Sequence, residues 1–316
     1  MLHVTNGDSV VETFRQSRFP GSYLSWIDVL HDGPVPKTST LGELPDIRAE
    51  VLSKFGWGSY EQIRSGFAAR DRTLADFRKH EDVVLWFEHD LFDQLQLIQL
   101  LDWFAEQDLG GSRLSLIQIN AFAGVNPFYG LGQLSGRQLA RLFPTRRPVT
   151  GQQMATASEA WRAFRAPDPA ALSEMARQEF PEMPFLGQAL LRFCQEYPRV
   201  QDGLSRTQRQ VLNAAASGGR KKAEIYAESR KLDDYPWGDA SVYLRISGLA
   251  SGPNPALEET PTGECLITEH GRQLLEAKAD WTKLSGGIDV WLGGVHLTGA
   301  APEWRWDNEK QALKRM

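Results

Sequence analysis

The chain has 316 residues, of which 41% are hydrophobic, 10% aromatic and 24% charged. That length suits two domains, and ten Trp with fifteen Phe exclude whole-chain disorder. With 35 basic against 40 acidic residues the net charge is −5, which argues against a polyanion-coating protein and leaves room for one locally basic module.

No apolar run reaches the ~18 residues of a membrane span. The opening segment, Met1 to Asn6, lacks the basic and apolar regions of a secretory signal. Cys194 and Cys265 alone exclude a disulfide framework or a four-thiolate zinc site. A cytoplasmic protein with no membrane partner is expected.

Leu2 to Thr5 reads as a first strand, followed by the turn Asn6-Gly7-Asp8-Ser9 and a short helix with Val10, Val11 and Phe14 on one side. Asp8 or Ser9 is the expected N-cap, its oxygen accepting from a free N–H of the first turn. A second strand is predicted over Ser22 to Leu30, closed by His31-Asp32-Gly33-Pro34, and residues 42–80 read as mostly helical. Asp82 to Phe87 is nearly all apolar, as a strand buried on both faces must be. It runs through Glu88, His89 and Asp90 into an amphipathic helix from about Phe92 to Gln107. Gly110-Gly111 stops that helix, and Arg113 to Asn120 supplies a fourth strand. This alternation predicts a Rossmann-like α/β domain over 1–125, a parallel sheet flanked by helices.

A helical extension follows over 126–200, with Ser135 capping a helix near Gly136 and later helices over 151–165, 168–179 and 184–196. Residues 204–280 change rhythm: three helices, two short strands around a Pro-Thr-Gly turn, and the strand-into-helix phrase Leu266 to Arg272. That order resembles a winged helix. The tail over 281–316 is dense in aromatics and is expected to dock as strands.

In parallel sheets ligands collect outside the carboxyl ends of the strands. The first predicted strand delivers Asn6, Asp8 and Ser9 there, the second Asp28, His31 and Asp32, the third Glu88, His89, Asp90 and Asp93, the fourth Asn120. The expectation is a pocket for a small polar ligand with hydrolytic or group-transfer chemistry. Its catalytic candidates are Asp28, His31, Glu88, His89 and Asp90, and its ligand-binding candidates are Asn6, Asp8, Ser9, Asp93 and Asn120. His31 or His89 is the expected acid–base, since imidazole titrates closest to neutral pH. Mixed carboxylate and imidazole ligands suit zinc, manganese or iron, but the sequence leaves the metal and any cofactor unknown. The plainer alternative is that Asp8 and Asp90 cap helices while the histidines fix turns. The Asn6–Ser9 turn has one glycine and no phosphate-loop lysine, which disfavours nucleotide binding.

Two resemblances attach to these residues. Leu2 to Ser9, Trp26 to Pro36 and Leu85 to Gln94, together with Gly130 to Leu134, Gly293 to Leu297 and Trp304 to Trp306, resemble the bacterial "domain of unknown function 1835" family over most of the chain. That resemblance implies shared ancestry and no particular activity. Gly7-Asp8-Ser9 with Asp28-x-x-His31 is similar to the motif pair of SGNH-type hydrolases. It implies Ser9 as nucleophile, although those hydrolases carry the Asp-x-x-His near the end of their domain.

The winged-helix-like region carries Arg206, Arg209, Arg220, Lys221, Lys222, Arg230, Lys231 and Arg245 against Glu224, Glu228, Asp233, Asp234 and Asp239. Arg220, Lys221, Lys222 and Arg245 are its nucleic-acid-binding candidates, and a ligand-sensing DNA-binding regulator is the alternative function. Base reading usually needs several long polar side chains from the third helix, which offers only Arg245 and Ser241. A module for docking a protein partner is an equal expectation.

Overall fold

The strand–helix alternation builds a mixed α/β unit. β1 (Leu2–Thr5), α1 (Asp8–Gln16) and β2 (Ser22–Ser25) open it, and the chain then places β3 (Gly33–Pro34) in a second unit. α2 (Glu43–Lys54), α3 (Tyr60–Ala75), β4 (Asp82–Glu88), α4 (Leu91–Ala105) and β5 (Arg113–Ile119) follow. α5 (Gly136–Leu142), β6 (Arg147–Pro148) and α6 (Gly151–Phe164) come next, and the first unit comprises Met1–Leu30, Thr38–Ala163 and Phe180–Leu186. The computed structural model describes residues 1–38, 43–233 and 237–316. Residue 42 of the expected helical stretch and Asp234 lie outside the described residues.

The sheet order is β2-β1-β4-β5-β6, with parallel pairing throughout except at the short antiparallel edge strand β6. Val84 and Trp86 of the central strand pack with Val10 and Phe14 of α1 and with Leu139 and Leu142 of α5. Strand alternation turns the buried Val83, Leu85 and Phe87 to the opposite face, so β4 is apolar on both sides for a reason. His3 is enclosed in the same aromatic cluster, its Nε2 3.1 Å from the Pro20 carbonyl and its Nδ1 accepting from Trp86 Nε1–H at 3.1 Å.

Two expectations need correction. β2 ends at Ser25, not Leu30, because Asp28 turns away to meet Arg48. The α1 N-cap is Gly7 with no side-chain hydrogen bond, so neither Asp8 nor Ser9 caps; both lie inside the helix and exposed.

The second unit comprises His31–Lys37, Phe164–Glu179 and Gly187–Met316. It contains α7 (Ala170–Met175), most of α8 (Leu186–Cys194), α9 (Arg206–Ala215), β7 (Arg220–Lys221), α10 (Lys222–Arg230) and α11 (Asp239–Leu249). β8 (Leu257–Glu259), β9 (Glu264–Ile267), α12 (Glu269–Leu275) and α13 (Trp281–Leu284) come next. β10 (Ile288–Gly293), β11 (Val295–Gly299), β12 (Trp304–Asp307) and β13 (Ala312–Arg315) close the chain. Small sheets result: β7-β9-β8 and β12-β13 are antiparallel, while β10 pairs antiparallel with β11 and parallel with β3. The aromatic tail is thus strand, with Trp306 buried. Among the described residues no helix is long and apolar enough to cross a membrane.

Candidate functional site

β4 delivers Glu88 to the carboxyl edge of the sheet, and the chain turns at once into α4. Asp90 caps that helix, its Oδ1 accepting from the Asp93 N–H at 2.9 Å. Asp93 faces back, its Oδ1 accepting from the Glu88 N–H at 2.6 Å. Strand, turn and first helical turn therefore force three carboxylates together, with an oxygen of each within 4.8 Å of the others. Asn6, at the end of the adjacent strand β1, donates from Nδ2 to Glu88 Oε1 at 3.2 Å and to Asp93 Oδ2 at 2.7 Å.

A turn over 130–133 closes on this group. The Leu131 N–H donates to Glu88 Oε1. A Cβ on Gly130 would lie 2.8 Å from Glu88 Oε1 and closer still to Oε2, and one on Gly132 would lie 2.7 Å from Ser9 Oγ. Ser9 and Glu88 thus rest against two glycines of one turn. Gln94 donates from Nε2 to the Glu88 carbonyl at 2.6 Å, while its buried Oε1 has no hydrogen-bond partner among the described residues.

Burial is the largest influence on these acids. It pushes Glu88 up to about 8, helped by the charge of Asp90 and opposed by the Leu131 N–H and Asn6. It raises Asp93 well above the usual carboxylate range, and the Glu88 and Asp90 charges add to that. Asp90 is raised too, against the pull of the Asp93 N–H and the His89 charge. Three carboxylates this close do not all ionise at neutral pH, so the cluster holds a shared proton there. His89 is half-buried, its ring 6.1 Å from Phe185 in an edge-on contact.

The oxygen-only set Glu88, Asp90 and Asp93 suits a hard cation such as magnesium or calcium better than zinc. Yet the Asn6 amide and the N–H groups of Glu88, Asp93 and Leu131 already aim at these oxygens. Those donors occupy carboxylate lone pairs that a cation would otherwise use, and they favour the ionised form against the push of burial.

The second predicted strand end is divided, with Asp28 in the first unit and His31 and Asp32 in the second. Asp28 is buried against Arg48, which donates from Nε at 2.9 Å and approaches Oδ1 with Nη2 at 2.8 Å. Its carboxylate is neutralised, which corrects its assignment as catalytic. His31 belongs to the second unit, with Nε2 3.1 Å from Ser241 Oγ. Ser241 in turn donates to Asp32 Oδ2 at 2.5 Å, and Arg245 pairs with Asp32 Oδ1. Against the upward push of burial, Arg245, His31 and Ser241 hold the Asp32 carboxyl below its usual value. Asp28 is thus paired with Arg48 and His31 hydrogen-bonded to Ser241, the partners each has in its own unit. Asn120 is exposed beyond β5.

The nucleic-acid candidates fare similarly. Arg245 is the partner of Asp32, its guanidinium 4.5 Å over the Trp237 ring. Lys222 pairs with Glu259 at 2.9 Å and Arg220 with Glu228 at 3.7 Å, while Lys221 is exposed. The exposed residues of α11 are Asp239, Ala240, Ser247 and Gly248, with no cation among them.

Asn6, Glu88, Asp90 and Asp93 lie together, and Gln94 and the Leu131 N–H join them. Gln94 escapes a reading of the sequence because its position reads as helix core; the Gly130-x-Gly132 pair was its visible companion signal. No family model matches the chain, and no curated protein does either.

Proposed function

We propose that the first unit binds a small polar ligand at the carboxyl edge of its sheet and protonates it from Glu88, in a hydrolysis or group transfer. The observation that carries this reading is the set of three carboxylates and the Asn6 amide at the end of the central strand. Strand ends of parallel sheets are where ligands collect, and acids with displaced titration cluster at functional sites. Glu88 supplies the proton, Asn6 and Asp93 fix its carboxyl, and the half-buried His89 beside it is the route by which the proton is exchanged with solvent. The unsatisfied Gln94 Oε1 adds an acceptor for a ligand N–H or O–H. The stretches that resemble the "domain of unknown function 1835" family include Asn6, Glu88, Asp90, Asp93 and the turn at Gly130, so the same site is our assignment for that resemblance.

Native mass spectrometry of the purified chain, before and after denaturation, tests this reading. The expected result is a small molecule released from the wild type and missing from folded Asp93→Asn. A wild type that releases nothing, and whose Tm responds to polar small molecules no more than that of the variant, contradicts it.

A second reading concerns the second unit. α9, β7, α10, α11 and the β8–β9 hairpin follow in winged-helix order, with β7 completing a three-stranded sheet. The cation-free exposed face of α11 supports a protein-docking module over a DNA reader.

A further inference from the structure

Between Asp108 and Glu159 the sequence has no acidic residue, in a chain that carries 40 of them. The same stretch holds Arg113, Arg137, Arg141, Arg146 and Arg147. Arg113 is engaged by Asp82 through two hydrogen bonds of 2.7 and 2.8 Å. The other four make no ion pair among the described residues.

These four lie within eleven residues of chain in the first unit, on α5, in the turn after it and on β6. Arg137 and Arg141 stand four residues apart on α5, both exposed, so their like charges repel each other across one helical turn. Arg146 lies with its guanidinium 4.0 Å over the Phe143 ring and donates to the Phe143 carbonyl at 3.1 Å. Its charge acts on Asp82 of β4 and on His3 of β1. Arg147 is exposed on the edge strand β6. Arg18 adds a fifth charge, because its neighbours Ser17 and Phe19 touch Gly136 and Phe143 respectively.

Like charges this close in sequence repel one another, and an anion bound among them relieves that repulsion. Every cation in the group is arginine, whose planar fork matches phosphate oxygens two at a time. No large apolar side chain is exposed between 136 and 150, so a bilayer finds nothing to insert. We infer that this face, formed by Arg137, Arg141, Arg146 and Arg147 with Arg18 beside them, binds the phosphodiester backbone of a nucleic acid. The contact is to phosphates and carries no base reading. It uses none of the residues of the Glu88 cluster or of the winged-helix-like region.

Fluorescence anisotropy of the full chain with labelled random-sequence duplex DNA and single-stranded RNA tests the inference. Four phosphate contacts predict binding at about 50 mM salt that weakens roughly 100-fold by about 200 mM. The variant Arg137→Gln/Arg141→Gln/Arg146→Gln/Arg147→Gln should keep the wild-type Tm and lose at least ~10-fold in affinity, with a shallower salt slope. If that variant does not fold, Arg141→Gln and Arg147→Gln alone should each weaken binding a few-fold. Arg220→Gln/Lys221→Gln/Lys222→Gln should bind as the wild type does. The inference is overturned by no binding of either nucleic acid at low salt, by loss in the second variant and retention in the first, or by retention only on phosphatidylglycerol vesicles.

Discussion

Gly130 gives Glu88 the space that any side chain would occupy, since a Cβ there would come within 2.8 Å of Oε1 and nearer to Oε2. Its φ of +149° also lies in the region that side chains avoid. Gly130→Ala therefore has to move the turn or the carboxyl. The expected loss is about 1–3 kcal/mol in urea unfolding, together with loss of the ligand signal, because Glu88 is displaced from Asn6 and Asp93. A variant as stable as the wild type would show that the turn yields freely and holds nothing in place.

His3 makes the stability depend on acid. Burial, aided by the charges of the chain's amino terminus and Arg146 and opposed by the Pro20 carbonyl, lowers it from 6.5 to about 4. The unfolded chain therefore binds this proton first. Its stabilising contribution is fully present above pH ~6.5 and lost as pH falls toward ~4, about 3 kcal/mol in all. Unfolding free energies of His3→Gln should lack that slope, whatever the cost of the substitution itself. Parallel pH profiles for the two proteins would contradict the assignment.

The ion pair between Asp28 and Arg48 should reveal itself through a comparison of single and double variants. Arg48→Met strands a buried carboxylate and is expected to cost about 3–5 kcal/mol, whereas Asp28→Asn/Arg48→Met should recover much of that loss. Thermal unfolding checks both. Equal losses in the two variants would mean that Arg48 acts through packing alone.

The elements that hydrophobic pattern controls were legible in the sequence. β4 showed itself through Val83 to Phe87, α4 through its cap Asp90, and β5 through Leu114 to Ile117, so the carboxyl edge carrying Glu88, Asp90 and Asp93 was visible too. Asp28 and His31 misled because their partners are remote. Arg48 lies 20 residues on from Asp28, and Ser241 lies 210 residues on from His31. A strand-end rule counts polar residues, and only the fold shows which have been neutralised. Arg245 failed as a nucleic-acid contact for the same reason, its charge being taken by Asp32.

Whether Glu88 holds its proton at neutral pH decides the acid role assigned to it. An acid raised from 4.5 to about 8 stabilises the folded chain at low pH, and that stability is lost as pH rises through the interval. The direct measurement is an infrared or carbon-13 NMR titration of the Glu88 carboxyl, identified by its disappearance in Glu88→Gln. The expected result is a protonated carboxyl at pH 7 with a midpoint near 8. An ionised Glu88 at pH 7, titrating near its ordinary 4.5, would contradict the general-acid reading.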